Sequence, residues 1–232
     1  ANEAVVWHQL GMVFEDARQW DEAERHYRES ARISEERGDL AGAARTWNQL
    51  ATVNMSAGKP DAAEMWYRKA IEGGRTASER VGLSKRLNNL ANLLQTRPGR
   101  LAEARQLAEE ALAIDKTIDP GAAEIWTTYS ILALIADQEA QAATEDRLKA
   151  ELQTKAREHR RLARDAKRNF AGTRYELKKH APLILGTVVA VGDREQRLAL
   201  ENSFPRLEKG GWTNLVAAIR RVLAGERNET VL

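Results

Sequence analysis

Over roughly the first 135 residues, apolar positions fall three and four apart, the period that gathers side chains on one face of a helix. The pattern repeats itself. Trp7, Leu10, Gly11 and Phe14 recur as Trp47, Leu50, Ala51 and Asn54, 40 residues on, and again as Leu87, Leu90, Ala91 and Leu94 after another 40. A fainter copy, Trp126, Tyr129, Ser130 and Ala133, follows 39 residues later. Behind each of the first three comes a second block: Ala23, Tyr27 and Ala31; Ala63, Tyr67 and Ala70; Ala104, Ala108 and Ala111. Asp21 and Asp61 open the first two of these, with Glu24 and Glu64 three residues on, which reads as a capping-box-like helix start. Breakers predict turns at Gly38-Asp39, Gly58-Lys59-Pro60, Gly73-Gly74, Pro98-Gly99 and Asp119-Pro120. Each unit is therefore predicted to be two antiparallel helices, with a small residue (Gly11, Ala51, Ala91) leaving room for a large one beside it.

From about Gln138 the period stops. Gln138 to about Ala171 holds no Pro or Gly and predicts one long helix, with Leu148, Leu152, Ala156, His159, Ala163, Ala166 and Phe170 in a narrow stripe. That stripe fits either a lengthened last repeat helix packed on the fourth unit or a seam that pairs with a partner or a second copy. Beyond it, an apolar helix ends at Gly192-Asp193. An amphipathic helix with Pro205 near its end follows, and Trp212 to Ala224 forms another with Leu215, Val216, Ile219, Val222 and Leu223 on one side. A stack of repeats leaves an open apolar end and needs a polar-faced cap, which this bundle could supply. The division expected is 1–136 repeats, 137–172 a long charged helix, and 173–232 a capping bundle.

Composition narrows the chemistry. With no Cys, the chain has no disulfide framework, thiol nucleophile or thiolate metal site, and it suits a reducing, cytoplasmic setting. Lys and Arg number 36 against 34 Asp and Glu, so no field of the whole chain points to nucleic acid or membrane. The longest uncharged apolar stretch, Ala181 to Gly192, is too short to span a bilayer. The four histidines (His8, His26, His159 and His180) show no metal-ligand spacing, and His26, next to the core Tyr27, is expected to be exposed. Gly73-Gly74-Arg75-Thr76 lacks the Lys-Ser/Thr of a phosphate loop, and no Gly-x-Ser-x-Gly occurs. No enzyme, metal or cofactor is predicted.

The run Trp7-x2-Leu10-Gly11, followed by Ala23, Tyr27 and Ala31, resembles the tetratricopeptide repeat family, whose motif it matches nearly position for position. The resemblance covers about 1–135. Two departures stand: the usual closing Pro is absent after Ala31, and the spacing is about 40 residues against 34. Longer second helices are typical of the kinesin-light-chain-like branch, which Leu87-Asn-Asn-Leu90-Ala91 through Ala111-Leu-Ala-Ile114 also resembles. The resemblance implies an all-α, right-handed solenoid of helical hairpins that serves as a protein-interaction scaffold. Gly211-Trp212, Ala218-Ile219 and Gly225-Glu226-Arg227 resemble, loosely, the C-terminal ends of large bacterial repeat proteins whose repeats follow an effector module. The expectation is then a C-terminal piece of such a protein, acting as its sensor or adaptor arm in signalling. The sequence opens at Ala1 almost directly on a patterned helix, which is read the same way.

In such a stack the first helices line a groove. The 40-residue offset puts His8, Asn48 and Asn88 on one rung, with Thr127 at the next unit, and Met12, Thr52 and Asn92 on another. Arg45 and Lys85 sit one turn earlier, and Gln9, Gln49 and Asn89 run alongside. Asn is a poor helix former, yet four stand mid-helix here. An amide both donates and accepts, so such a ladder could hold the main chain of an extended peptide, with Arg45 and Lys85 fixing an acidic group. The same amides could instead bond only to neighbouring helices. A second function is legible in Lys155, Arg157, Arg160, Arg161, Arg164, Lys167, Arg168, Arg174, Lys178 and Lys179, a strip over 155–179 that could hold nucleic-acid phosphates. Only Phe170 and Tyr175 interleave as aromatics, so base stacking has little support there.

Overall fold

The computed structural model describes residues 3–118, 124–170, 183, 185–209 and 212–226. The predicted Asp119-Pro120 turn, His180 and the basic residues Arg174, Lys178 and Lys179 lie outside the described residues. The chain divides into two compact units, Ala1–Ala171 and Gly172–Leu232.

The first unit is a run of helices, each packed against the next. They are α1 (Glu3–Asp16), α2 (Trp20–Glu36), α3 (Leu40–Ser56), α4 (Pro60–Thr76), α5 (Arg80–Leu94), α6 (Leu101–Asp115), α7 (Ile125–Ala142) and α8 (Asp146–Asn169). Consecutive hairpins stacked in this way make a helical solenoid. The chain reverses at residues with positive φ spaced almost regularly: Arg18 (57°), Gly38 (70°), Gly58 (72°), Ser78 (54°) and Gly99 (73°). At the first four, the residue after the turn donates its N–H back across the helix end, to Phe14, Ser34, Asn54 and Gly74, so carbonyls that the helix leaves free are satisfied. Gly38 and Gly58 take this conformation at no steric cost. Arg18 and Ser78 pay about 1 kcal/mol each for it, and neither was legible as a turn.

Four expectations are corrected. Gly73-Gly74 is not a turn but lies inside α4, and the reversal falls at Ser78. Gly73 is needed for the close approach of a ring, and Gly74 leaves room for the end of a long side chain. A Cβ on Gly73 would sit 2.6 Å from the Trp47 ring, and one on Gly74 would sit 2.6 Å from Nη1 of Arg86. Asp21 and Asp61 do not cap their helices, which start one residue earlier after Gln19 and Lys59. Their carboxylates, favourably placed in a first turn, tie neighbouring hairpins instead: Lys59 reaches Asp21 at 3.2 Å and Glu24 at 3.5 Å, and Arg97 reaches Asp61 and Glu64. In the first unit a side-chain cap forms at Asp39, which accepts from the N–H of Gly42 at 2.8 Å. His26 is buried rather than exposed, lying between the rings of Trp7 and Phe14 with centroids 5.2 and 4.9 Å away. An imidazole is flat and half apolar, so it fills that slot as a third ring.

The fourth correction concerns the long helix. The chain leaves helical conformation at Ala143, where ψ is 132°, and restarts at Asp146, so 138–171 is not one helix. Thr144 is a weak helix former, and Glu145-Asp146 suits the start of a new helix better than the middle of an old one. The break lets α8 fold back along α7, where Leu152, Ala156 and Ala163 become buried while Leu148 stays exposed. Tyr129 and His159 stack across this pair, and Trp126 and Phe170 meet edge to face. The stripe is thus spent on a fourth hairpin within the chain.

The core follows the repeat. Ala23, Tyr27, Leu50, Ala51, Ala63, Leu87, Leu90, Ala91 and Ala104 are among its buried members. Gly11 is required because a Cβ there would come within 2.5 Å of the Tyr27 ring. The second unit holds α9 (residues 185–192), α10 (Arg194–Lys209) and α11 (Thr213–Leu223), closed around Ala190, Phe204, Val216, Ile219 and Leu223. Asp193 starts α10 by accepting from the N–H groups of Glu195 and Gln196.

Candidate functional site

The first helices α1, α3 and α5 present one common face. A pocket of about 330 Å³ opens on it, and His8, Arg45, Asn48 and Lys85 line it together with Gln49 and Arg86. Five of the residues singled out by the 40-residue offset, Gln49 included, therefore meet around one hollow. An adjoining hollow of about 260 Å³ shares His8 and Arg45 and adds Met12.

The amides divide into two roles. Asn48 stands at the pocket wall, and its Oδ1 accepts from Nδ2 of Asn89 at 2.9 Å, a bond that links α3 to α5. Asn88 turns the other way. It is buried, and its Nδ2 donates to Oγ1 of Thr128 at 2.7 Å, joining α5 to α7. Thr128 in turn donates to Asp115, which also accepts from Ser84, so α5, α6 and α7 meet at one buried polar node. The partner of Asn88 is Thr128, the neighbour of the Thr127 that the repeat spacing places at the groove. Thr127 is half-buried on α7. Thr52 bonds back to the carbonyl of Asn48 at 3.1 Å and lies 3.4 Å from the Tyr67 hydroxyl. Asn92 is exposed and accepts from Gln95 at 2.6 Å.

The pocket is cationic. Arg45 and Lys85 are exposed, and no ion pair ties either of them among the described residues. Arg86 is buried, with Nη2 held by Glu79 at 2.7 Å while Nη1 has no hydrogen-bond partner. Sequence reasoning missed Arg86 because an arginine at a core-facing helix position looks like a surface residue. Gly74 and Gly82, which leave space for its guanidinium, were the available signal. His8 accepts or donates at Thr46 Oγ1, 3.1 Å away, and its pKa is lowered by burial and then by the nearby Arg45 charge, so the neutral ring is favoured. Behind the wall, the Tyr27 hydroxyl donates to Glu15 at 2.6 Å, and burial followed by that carboxylate raises its pKa well above the ordinary tyrosine value. Tyr27 is thus a fixed donor, with no acid-base part to play.

Elsewhere the described residues offer less. No group of three or more His, Asp or Glu among them is placed to hold a metal ion, and no helix among them is long and apolar enough to cross a membrane. Of the basic strip, Arg160 pairs with Asp137, and Arg161 pairs with Glu158 and Asp165.

Residues 2–76 and 42–117 match the family model described as Tetratricopeptide repeat. No curated protein matches the chain. Among solved structures, the chain is similar to BtubC (BKLC) from P. vanneervenii, at 20% identity and a TM-score of 0.59. That similarity covers 71% of this chain and 63% of the other, so the chain spans under two thirds of that protein's length.

Proposed function

The chain belongs to the tetratricopeptide repeat family, whose repeats are protein-interaction scaffolds, and on that footing we propose that it grips an extended, acidic segment of a protein partner on the face formed by α1, α3 and α5. The observation that carries this reading is the pocket at which Arg45, Lys85 and Arg86 converge with a single carboxylate, Glu79, among its lining residues. Two exposed cations, Arg45 and Lys85, that no described residue pairs favour an acidic side chain entering between them. Asn48 lines the same pocket but is buried, with its Oδ1 held by Asn89 and its Nδ2 turned to Gln49 at 3.4 Å, so it orders the wall behind the cations while Arg45 and Lys85 meet the segment. The 40-residue period supports placement in the kinesin-light-chain-like branch. A role as the sensor or adaptor arm of a larger bacterial signalling protein is the setting we propose for it.

The test is fluorescence anisotropy with twelve-residue peptides rich in Asp and Glu, against the same peptides carrying Asn and Gln. Binding at about micromolar Kd, corresponding to about −8 kcal/mol, is expected for the acidic set. Replacing both Arg45 and Lys85 by Ala should weaken it by about 0.4–2 kcal/mol, roughly 2- to 30-fold, since each partly exposed ion pair contributes about 0.2–1 kcal/mol. Equal binding of acidic and neutral peptides, with unfolding unchanged, would refute the reading. Nucleic acid is the weaker alternative, because on α8 part of the basic strip is already neutralised by Asp137, Glu158 and Asp165. Labelled RNA that failed to shift at low salt would remove it.

A further inference from the structure

Arg45, Lys85 and Arg86 bring three positive charges to the pocket on α1, α3 and α5 and Glu79 brings one negative, so two remain unbalanced. His8 adds none, because burial and then the Arg45 charge favour its neutral ring. Arg86 is the unusual member. It is 3% exposed, and Glu79 takes only one end of its guanidinium, at Nη2. Nη1 has no hydrogen-bond partner. It lies between two glycines: a Cβ on Gly82, itself on the pocket wall, would sit 2.9 Å from it, and one on Gly74 would sit 2.6 Å from it. A charged donor buried without an acceptor is costly, so an acceptor delivered there gains more than one that meets an arginine in open solvent.

The start of α5 adds a second set of donors. No side chain caps it at Glu79. The N–H groups of a first turn have no acceptor within their own helix, and Val81 and Gly82 of this turn line the same pocket. A helix start of this kind favours an anion through both its dipole and its free donors.

We propose that the pocket takes a dianionic phosphoryl group, carried on a phosphorylated side chain of the partner segment, rather than a carboxylate. The inference rests on the acidic-segment reading and names the group that enters. A carboxylate brings one negative charge and two oxygens in one plane, so it leaves one of the two unbalanced charges unmatched. A phosphorylated side chain carries about −1.5 to −2 at neutral pH and offers three acceptor oxygens. Three kinds of donor await them: the exposed Arg45 and Lys85, the guanidinium of Arg86, and the first turn of α5. Arginine is suited to this part because its planar fork matches phosphate oxygens two at a time.

The test uses peptides with uncharged flanks that differ at one central position, phosphoserine, Glu or Ser. They are titrated against the 232-residue chain by fluorescence anisotropy, with inorganic phosphate as competitor. The phosphoserine peptide should bind about tenfold tighter than the Glu peptide, and the Glu peptide tighter than the Ser peptide. Inorganic phosphate should displace the phosphoserine peptide, but only at concentrations well above the peptide's own Kd. Lys85→Gln, a change at an exposed side chain, should shrink the preference for phosphoserine over Glu while leaving the unfolding curve unchanged. Equal binding of the phosphoserine and Glu peptides, both tighter than Ser, overturns the proposal and leaves the acidic-segment reading standing. Equal binding of all three overturns both. A phosphoserine preference that Lys85→Gln leaves intact puts the phosphoryl group elsewhere and overturns its assignment to this pocket. Inorganic phosphate that binds as tightly as the phosphoserine peptide makes the free ion the ligand, which overturns its assignment to a partner segment.

Discussion

Replacing Thr128 by Val keeps the shape of the side chain and deletes one hydroxyl at the point where α5, α6 and α7 meet. That hydroxyl accepts from Asn88 at 2.7 Å and donates to Asp115 at 2.6 Å, and all three residues are buried. The substitution strands two groups at once, the Nδ2 of Asn88 and one oxygen of Asp115, which keeps only Ser84. A buried polar group left without a partner costs about 1–3 kcal/mol, so the loss should be about 4 kcal/mol. For a domain of this size it corresponds to a fall of about 8–16 °C in the melting midpoint of the repeat unit. Asn88→Ala is the informative contrast. It removes the same bond, but it also removes Oδ1 of Asn88, which is itself buried and unsatisfied, so it should cost only about 1 kcal/mol. Circular dichroism during heating and urea titration measures both, and the acidic-peptide assay is run alongside. The reasoning fails if Thr128→Val lies within 1 kcal/mol of the parent. It also fails if Asn88→Ala abolishes peptide capture while leaving the melting midpoint alone, since that would make Asn88 a contact residue.

Other expectations follow from the same geometry. Gly73→Ala, which in an ordinary helix gains about 1 kcal/mol, should instead destabilise by about 1–3 kcal/mol because its Cβ would strike the Trp47 ring; a rise in stability would refute the packing. Asp39→Ala should cost about 1 kcal/mol by removing the cap on α3, measured by the same unfolding curves. His8 and His159 both have pKa values lowered chiefly by burial, so by NMR their ring protons should titrate below pH 6.5, and Arg45→Gln should move His8 back upward. Because these folded-state values are depressed, both rings are neutral in either state above pH 6.5. As the pH falls below 6.5 the unfolded chain takes up protons first, so their contribution to stability is lost from there down to the folded-state values. A stability curve that rises on acidification through this window would contradict the burial of both rings.

The hairpins themselves could be read from the sequence because one pattern of small and large residues, Gly11 against Tyr27 and its copies, admits only one way of pairing two helices. A period of 40 also fixes which helix follows which, and so the solenoid. The site was only half legible. Arg45, Lys85, His8 and Asn48 share one pocket as the offset predicts. Asn88 does not, since residues one apart on a helix diverge by about 100°, and a small tilt decides whether 88 or 89 meets the groove. Repeat spacing cannot supply that tilt, because it is set by how α5 leans on α4 and α7. Gly73 and Gly74 read as a break for the same reason: a local rule counts their flexibility, while the fold uses their lack of a side chain to admit Trp47 and Arg86. The turn at 143–145 has no Gly or Pro to announce it, and α8 turns back there to bury Leu152, Ala156 and Ala163. Periodicity along the chain therefore determined what pairs with what, whereas close approach between distant residues decided which polar groups face outward.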